Sequence, residues 1–83
     1  MAVYSYKYSY EDPAKGWGEL CYMRKGDFGD IAEMVDSLVE GLGKLPGEKN
    51  VDIDIYEGGA PFHVWADVPA GKAIVLVKEL RGA

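Results

Sequence analysis

The sequence predicts an α+β fold in two layers, with one amphipathic helix packed on a mostly antiparallel sheet in the order ββαβββ. Three observations lead to this fold class: an apolar stripe of helical period between Gly26 and Gly47, an alternating tyrosine run near the N-terminus, and alternating aliphatic and polar residues in the second half. The chain has 83 residues, which suits a single domain over residues 1–83 with one small core.

The first predicted strand runs from Val3 to Tyr10. Every second residue is a tyrosine, so one face of the strand presents Tyr4, Tyr6, Tyr8 and Tyr10. Alternation and aromatic content are typical of a β-strand whose apolar face lies in or beside the core. Proline and glycine between Glu11 and Gly16 predict a turn. The second strand, about Trp17 to Arg24, shows no clean alternation, so the register of the first hairpin is left open.

The helix is predicted from the spacing of its apolar residues. These are Phe28, Ile31, Ala32, Val35, Leu38, Val39 and Leu42, and they form one buried stripe. Asp27 is the expected N-cap, with Asp30 in the position of a capping-box acid. Gly41 and Gly43 are expected to end the helix. The carboxylates of the segment occupy the opposite face.

Two strands, Val51–Tyr56 and Phe62–Val68, are predicted to form a hairpin around Gly58-Gly59. In the register of a two-residue turn, Asp54 lies opposite His63. Ala73–Leu80 is predicted as the last strand, after a turn at Ala70-Gly71. The sheet face away from the core would then bring Trp65 together with other candidate partner-binding or dimer residues, which are Asp52, Asp54, His63, Asp67, Ile74 and Leu76. An apolar patch with a tryptophan and a charged rim is typical of a protein-binding surface.

The charge distribution is one-sided. The net charge is −5, from 14 acids and 9 bases. Five acids and no base lie between Asp27 and Gly43, so acids and bases balance elsewhere. Such a stripe is either an ordinary solvated helix surface or a face that attracts a basic partner. Direct nucleic-acid binding is not expected, because it depends on clustered Lys and Arg, and the largest basic cluster is Arg24-Lys25.

Catalytic and metal chemistry find little support in the sequence. Cys21 and His63 are the single cysteine and histidine, which excludes an internal disulfide and a four-ligand Cys/His zinc site. A Cys21, His63, Asp54 triad can be written, but no spacing selects it, and Cys21 in mid-strand suits a packed small hydrophobe. Trp65 would separate the carboxylates of a metal site. We therefore expect no catalytic residues, no metal and no cofactor, and the chain is not expected to be an enzyme.

The expected function is that of a small, acidic, non-enzymatic protein-binding module. Its composition is similar to that of inhibitors that phages and mobile elements direct at nucleic-acid-handling proteins, anti-CRISPR proteins included. The acidic helix face that would plug a basic surface of the partner consists of Asp30, Glu33, Asp36 and Glu40. The alternative is a homo-oligomeric structural or assembly subunit, such as a homodimer, that uses the outer sheet face around Trp65.

A cytoplasmic location is expected, in the host-cell cytoplasm if the protein is phage-encoded. The N-terminus shows no basic region followed by an apolar one. The longest aliphatic run, Ala73 to Val77, is far shorter than the ~20 residues of a membrane span, so no membrane partner is expected. Internal sequence repeats do not appear.

Overall fold

The structure, a computed structural model, describes residues 3–12 and 20–82. Along these residues the chain forms strand β1 (Tyr4–Glu11), strand β2 (Leu20–Phe28), helix α1 (Ile31–Leu42), strand β3 (Asn50–Glu57), strand β4 (Ala60–Pro69) and helix α2 (Ala70–Arg81). The strands pair antiparallel in the order β2-β1-β3-β4. The α+β class, the antiparallel sheet and a helix between the second and third strands are thereby confirmed. The turn expected up to Gly16 and the strand start at Trp17 lie outside the described residues.

Strand β1 lies in the middle of the sheet, and its tyrosine face belongs to the core side. Tyr6 and Tyr8 are each 4% exposed, while Tyr4 and Tyr10 pack against the core more loosely. The rings of Tyr6, Tyr8 and Tyr10 stack in succession, with centroids 6.0 and 6.4 Å apart. The predicted core role of the tyrosine face is therefore confirmed.

Helix α1 buries the predicted stripe but begins later than predicted. Leu38 and Leu42 are fully buried, and so is Met34, which the stripe had omitted. The N-cap is Asp30, whose carboxylate accepts a hydrogen bond of 2.8 Å from the Ala32 amide.

The expectation that Asp27 caps the helix is wrong. Strand β2 continues to Phe28, and Asp27 lies within a β-bulge at a φ of 65°. Aspartate tolerates this left-handed conformation better than most residues. The bulge turns the chain out of the sheet, so the helix can begin only after it.

The hairpin between β3 and β4 turns at Gly58-Gly59 as predicted. Both glycines have positive φ, 60° and 85°, which their missing side chains permit. The predicted register is wrong beyond the turn, because a bulge shifts the pairing and places Ile55 opposite His63. Phe62 is the extra residue, and its ring packs 4.4 Å from that of His63.

This shift moves half of β4 to the other face of the sheet. Ile53 now lies opposite Trp65, and Asp54 lies opposite Val64 instead of His63. A one-residue change of register exchanges the two faces of a strand. The larger aromatic rings therefore lie on the helix side, where burial stabilises them, and Val64 lies on the other side, 62% exposed.

The last element is a helix, so the predicted strand Ala73–Leu80 is wrong, and with it the order ββαβββ. The buried residues of α2 are Ala70, Ala73, Val77 and Leu80, which follow a helical period. Its first turn continues directly from β4 at the position predicted as a turn. Carbonyl groups of the loop before β3 accept hydrogen bonds from the first two amides of α2. Ala70 N–H donates to Lys49 O at 2.8 Å, and Gly71 N–H donates to Gly47 O at 3.0 Å.

One hydrophobic core joins the sheet to both helices of the described chain. Its most buried side chains are Met34, Val35, Leu38, Leu42, Val51, Ile53, Ile55 and Val77. Because the strands alternate, the sheet face opposite this core is left without a helix over the described residues. We call it the open sheet face.

The order β1-β2-α1 is repeated as β3-β4-α2. The similarity extends to detail: Tyr6 pairs with Lys25 as Ile53 pairs with Trp65, and each outer strand has a bulge with a left-handed aspartate, the second being Asp67. The repeat lies in the backbone, since the residues at equivalent positions differ in size and polarity. Equivalent positions of the two units can therefore be compared directly.

Candidate binding surfaces

The acidic face of α1 is exposed, but two of its four carboxylates have partners within the chain. Glu33, Asp36 and Glu40 point into solvent. Asp36 forms an ion pair with Arg81 of α2, and Asp30 serves as the N-cap. Of the four carboxylates, Glu33 and Glu40 therefore have no hydrogen-bond or ion-pair partner within the described part of the chain.

The residues predicted for the outer sheet face do not come together. His63 and Trp65 lie on the helix side of β4, where their rings stack at 5.4 Å and 10°. Ile74 and Leu76 lie on α2, partly buried, instead of on a fifth strand. A surface centred on Trp65 on the far side of the sheet does not exist in this fold.

The aspartates of the predicted surface are on or beside the open sheet face. Asp54 forms an ion pair of 3.8 Å with Lys7 on the neighbouring strand. Asp52 is exposed, and its carboxylate accepts a 2.7 Å hydrogen bond from the Asp67 amide. That bond stabilises the left-handed backbone of Asp67, whose φ is 55°. Asp52 and Asp54 therefore make contacts within the sheet in addition to lying on its surface.

The open sheet face has apolar residues that the sequence analysis did not group. Leu20 and Tyr22 on β2 and Val64 on β4 are exposed, and Tyr22 is 62% exposed. The Lys7–Asp54 ion pair lies on the two strands between them. The sequence of β2 does not alternate between apolar and polar residues, so it does not show which of its side chains share a face. Only the pairing of β2 with β1 shows this.

A groove of about 170 Å³ lies between the edge strand β2 and helix α1. Its floor consists of tyrosines from β1. Tyr6 Oη and Ser37 Oγ form a 2.9 Å hydrogen bond there, whereas the Tyr8 hydroxyl finds no hydrogen-bond partner in residues 3–12 or 20–82. Gly41 makes room for that hydroxyl, because a Cβ at position 41 would lie 2.6 Å from it.

The walls of the groove are mainly cationic. Lys25 from β2 and Lys44 from the turn after α1 line it, together with one carboxylate of the described residues, Glu40. Arg24 also borders the groove, but it pairs with Lys7, so strand alternation directs its side chain toward the open sheet face. No ion pair joins Lys25 or Lys44 to an acid among the described residues. Sequence reasoning missed this site. Its available signals were the Arg24-Lys25 pair and a glycine, Gly41, within a helical pattern, where glycine is unfavourable by about 1 kcal/mol.

Two tyrosines on β1 have altered acidity. Burial raises the pKa of Tyr8, and the neighbouring Tyr6 and Tyr10 add to the effect. A hydrogen bond with Cys21 raises the pKa of Tyr10, assisted by partial burial and by the charge of Asp12. Burial disfavours a phenolate. The Tyr8 hydroxyl at the groove floor is therefore a neutral donor at physiological pH.

The sheet order keeps the nucleophilic and basic side chains apart. Cys21 lies on β2 and His63 on β4, which are opposite edges of the sheet, so three strand spacings of ~4.8 Å separate them. Cys21 instead donates to Asp12 Oδ2 at 3.6 Å. Within the described ranges, no group of three or more His, Cys, Asp or Glu side chains could hold a metal ion. The Cys21, His63, Asp54 triad is therefore not assembled.

Comparison of the chain with protein-family models, with curated proteins and with solved structures finds no match. In the described residues, no helix is long and apolar enough to cross a membrane.

Proposed function

We propose that the protein is a non-enzymatic binding protein whose acidic α1 face engages a basic surface of a protein partner. An inhibitor that plugs the nucleic-acid site of such a partner is the form of this function that we favour. The supporting observation is the exposure of Glu33, Asp36 and Glu40 on one face of a helix that contains no basic residue. Opposite charges across an interface accelerate association and select the partner.

The charge density argues for a local contact. Glu33 and Glu40 are separated by seven residues, or ~10 Å at ~1.5 Å per residue, and Asp36 between them is already paired with Arg81. Duplex DNA presents one charge per ~1.7 Å. The face therefore matches a small basic patch better than a long nucleic-acid channel.

A pull-down from extract of the native cell tests this function with two baits of equal net charge. In Glu33→Gln/Glu40→Gln the acidic face is neutralised, whereas Glu11→Gln/Glu48→Gln neutralises exposed acids elsewhere. The proposal expects a basic protein that is retained by wild type and by the second bait, is lost from the first, and elutes as salt rises. Equal retention by both variants would refute it.

Self-association through the open sheet face is the second candidate function. The observation in its favour is the exposure of Leu20, Tyr22 and Val64 on a face that no helix of the described chain covers. A second copy would bury these side chains and remove their contact with water.

Sedimentation equilibrium over a range of protein concentrations tests this candidate. A dimer that dissociates in Tyr22→Ser/Val64→Ser but persists in Val75→Ser is the expected result, since Val75 is an exposed valine on α2. A monomer at all concentrations would exclude self-association.

A further inference from the structure

We propose that the groove between β2 and α1 is a binding site for a phosphate monoester. Its floor presents the Tyr8 hydroxyl, and its walls present Lys25 and Lys44. This inference does not use Glu33 or Asp36 of the acidic α1 face, although Glu40 of that face also lines the groove.

The Tyr8 hydroxyl at the floor is accessible to a ligand. Tyr8 is 96% buried as a residue, and its Oη makes no hydrogen bond within residues 3–12 and 20–82. Every buried side-chain oxygen or nitrogen of the described residues has a partner, so this oxygen is the part of Tyr8 that solvent in the groove reaches. A neutral phenol can donate to a phosphate oxygen, and burial keeps this hydroxyl protonated by raising the pKa of Tyr8.

Gly41 keeps the groove open at the Tyr8 hydroxyl. Glycine within a helix is unfavourable by about 1 kcal/mol relative to alanine. Here its absent side chain keeps the space above Tyr8 Oη open, since a Cβ would lie 2.6 Å from that oxygen. Glycine at position 41 thus makes helix α1 less stable but lets the Tyr8 hydroxyl reach the groove.

Charge identifies the class of ligand. A protein of net charge −5 places two cations, Lys25 and Lys44, and one carboxylate of the described residues, Glu40, around a single groove. Ammonium and guanidinium groups bind phosphate through charge-assisted hydrogen bonds. A dianionic phosphate monoester offers three acceptor oxygens and about two negative charges, which suits several converging donors better than a carboxylate does.

Size and lining identify the rest of the ligand. The volume of about 170 Å³ is similar to that of an apolar cavity, ~150 Å³, that holds benzene. Met23 and the tyrosine rings provide apolar surface beside the cations. A phosphate on a small aromatic or aliphatic group therefore fits both parts of the groove.

The second unit of the fold provides an internal comparison. The positions equivalent to Lys25 and Met23 are Trp65 and His63, whose rings stack on each other. The same place beside β4 is thus occupied by packed aromatic side chains, while beside β2 it is lined by a flexible cation and a thioether. A shared backbone with different side chains indicates that the open groove is a property of these residues and not of the fold.

Amide chemical shifts of the intact chain, followed during titration with phenyl phosphate at constant ionic strength, test the site. Saturable shifts are expected at Lys25, Gly41 and Lys44. Lys25→Gln and Lys44→Gln should each weaken binding about tenfold, as expected for loss of a hydrogen bond to a charged group. Lys72→Gln on the exposed surface of α2 is the matched control and should bind as wild type. Glu40→Gln should bind more tightly, because it removes the one carboxylate.

Other probes define the specificity. Tyr8→Phe should bind about threefold to tenfold more weakly while it retains the wild-type spectrum elsewhere. Sodium sulfate should compete only weakly, since it has no organic part to contact Met23. Absence of saturable shifts at the groove, or binding of phenyl phosphate unchanged in both lysine variants, would overturn the proposal.

The source of the phosphate is distinguished by a second ligand. A free small molecule and a phosphorylated side chain of a partner protein present the same group. A phosphotyrosine peptide that binds at least tenfold more tightly than phenyl phosphate assigns the groove to a partner protein. Equal affinities assign it to a free organic phosphate. Either result retains the groove as the site, and neither depends on Glu33, whose role in partner binding Glu33→Gln tests separately.

Discussion

Replacing Gly41 by alanine tests whether helix α1 and the Tyr8 hydroxyl compete for the same space. An alanine Cβ would lie 2.6 Å from Tyr8 Oη and 3.3 and 3.4 Å from ring carbons Cζ and Cε1. The ring cannot move aside freely, because it is stacked between Tyr6 and Tyr10 and is 4% exposed. The substitution therefore combines a local gain with a steric cost.

The two effects have different magnitudes. Alanine stabilises a helix by about 1 kcal/mol relative to glycine. Overpacking a close-packed site costs about 1–3 kcal/mol. We expect Gly41→Ala to lower the free energy of unfolding by about 1 kcal/mol, which corresponds to a fall in Tm of roughly 4–8 °C for a domain of this size. In a Tyr8→Phe background the 2.6 Å contact is absent, so the same change should be neutral or stabilising by up to about 1 kcal/mol.

Urea unfolding followed by circular dichroism on the four proteins of this cycle measures the coupling. It should reach about 1–2 kcal/mol, well above the ~0.3–0.5 kcal/mol of independent sites. Gly47→Ala is the control, since an added Cβ at position 47 meets nothing within 4 Å. If Gly41→Ala stabilises the wild-type chain, or if the two changes are additive, then Tyr8 does not need the glycine, and Gly41 gives no support to a ligand in the groove.

Three further substitutions test local features of the fold. Asp30→Ala should cost about 0.5–2 kcal/mol of stability through loss of the N-cap, and Glu33→Ala much less, as measured by urea unfolding. Asp67→Gly should be neutral or stabilising, whereas Asp67→Ala should cost about 1 kcal/mol at a φ of 55°; equal thermal midpoints would contradict the left-handed bulge. Because the pKa of Tyr8 is raised on folding, the unfolded chain releases this proton first, so stability should fall as pH rises above 10. Tyr8→Phe should reduce that alkaline loss in pH-dependent unfolding, and an alkaline loss unchanged by Tyr8→Phe would contradict the raised pKa of Tyr8.

The parts of the fold that the sequence predicted well have one strong period and one buried face. The tyrosine alternation of β1 and the apolar stripe of α1 each determine which side chains enter the core, and both faces are buried as predicted. The exact start of α1 was mispredicted, because Asp27 and Asp30 are both acceptable caps by residue type. Only the bulge at Asp27, which depends on pairing with β1, decides between them.

Helix α2 was mispredicted because its sequence fits two periods. Residues 73–77 are aliphatic throughout, and their β-branched members favour a strand. The helical spacing of Ala70, Ala73, Val77 and Leu80 is also present, and tertiary contacts select it. The carbonyls of Gly47 and Lys49, distant in sequence, accept the first amides of this helix. No local pattern could have shown that.

The predicted site around Trp65 was wrong for a different reason. One extra residue, Phe62, exchanges the faces of β4, so a single bulge moves Trp65 from the open sheet face to the helix side. The groove beside β2 could not be predicted at all. It depends on the register of the first hairpin and on the approach of Gly41 to Tyr8, and neither leaves a periodic signal in the sequence.

The two ββα units suggest why the chain keeps a cationic groove within an acidic domain. Two cations without ion-pair partners in the described chain lie beside the groove, and neutral side chains at Lys25 and Lys44 would remove their mutual repulsion. The acids of α1 do not relieve it, because Asp36 is paired with Arg81, and Glu40 is the single carboxylate that lines the groove. The second unit shows that stacked aromatic side chains can occupy the equivalent place. A sequence that retains unpaired cations, an unpaired hydroxyl and a helical glycine together, where packed side chains are compatible with the same backbone, is better explained by a ligand than by stability.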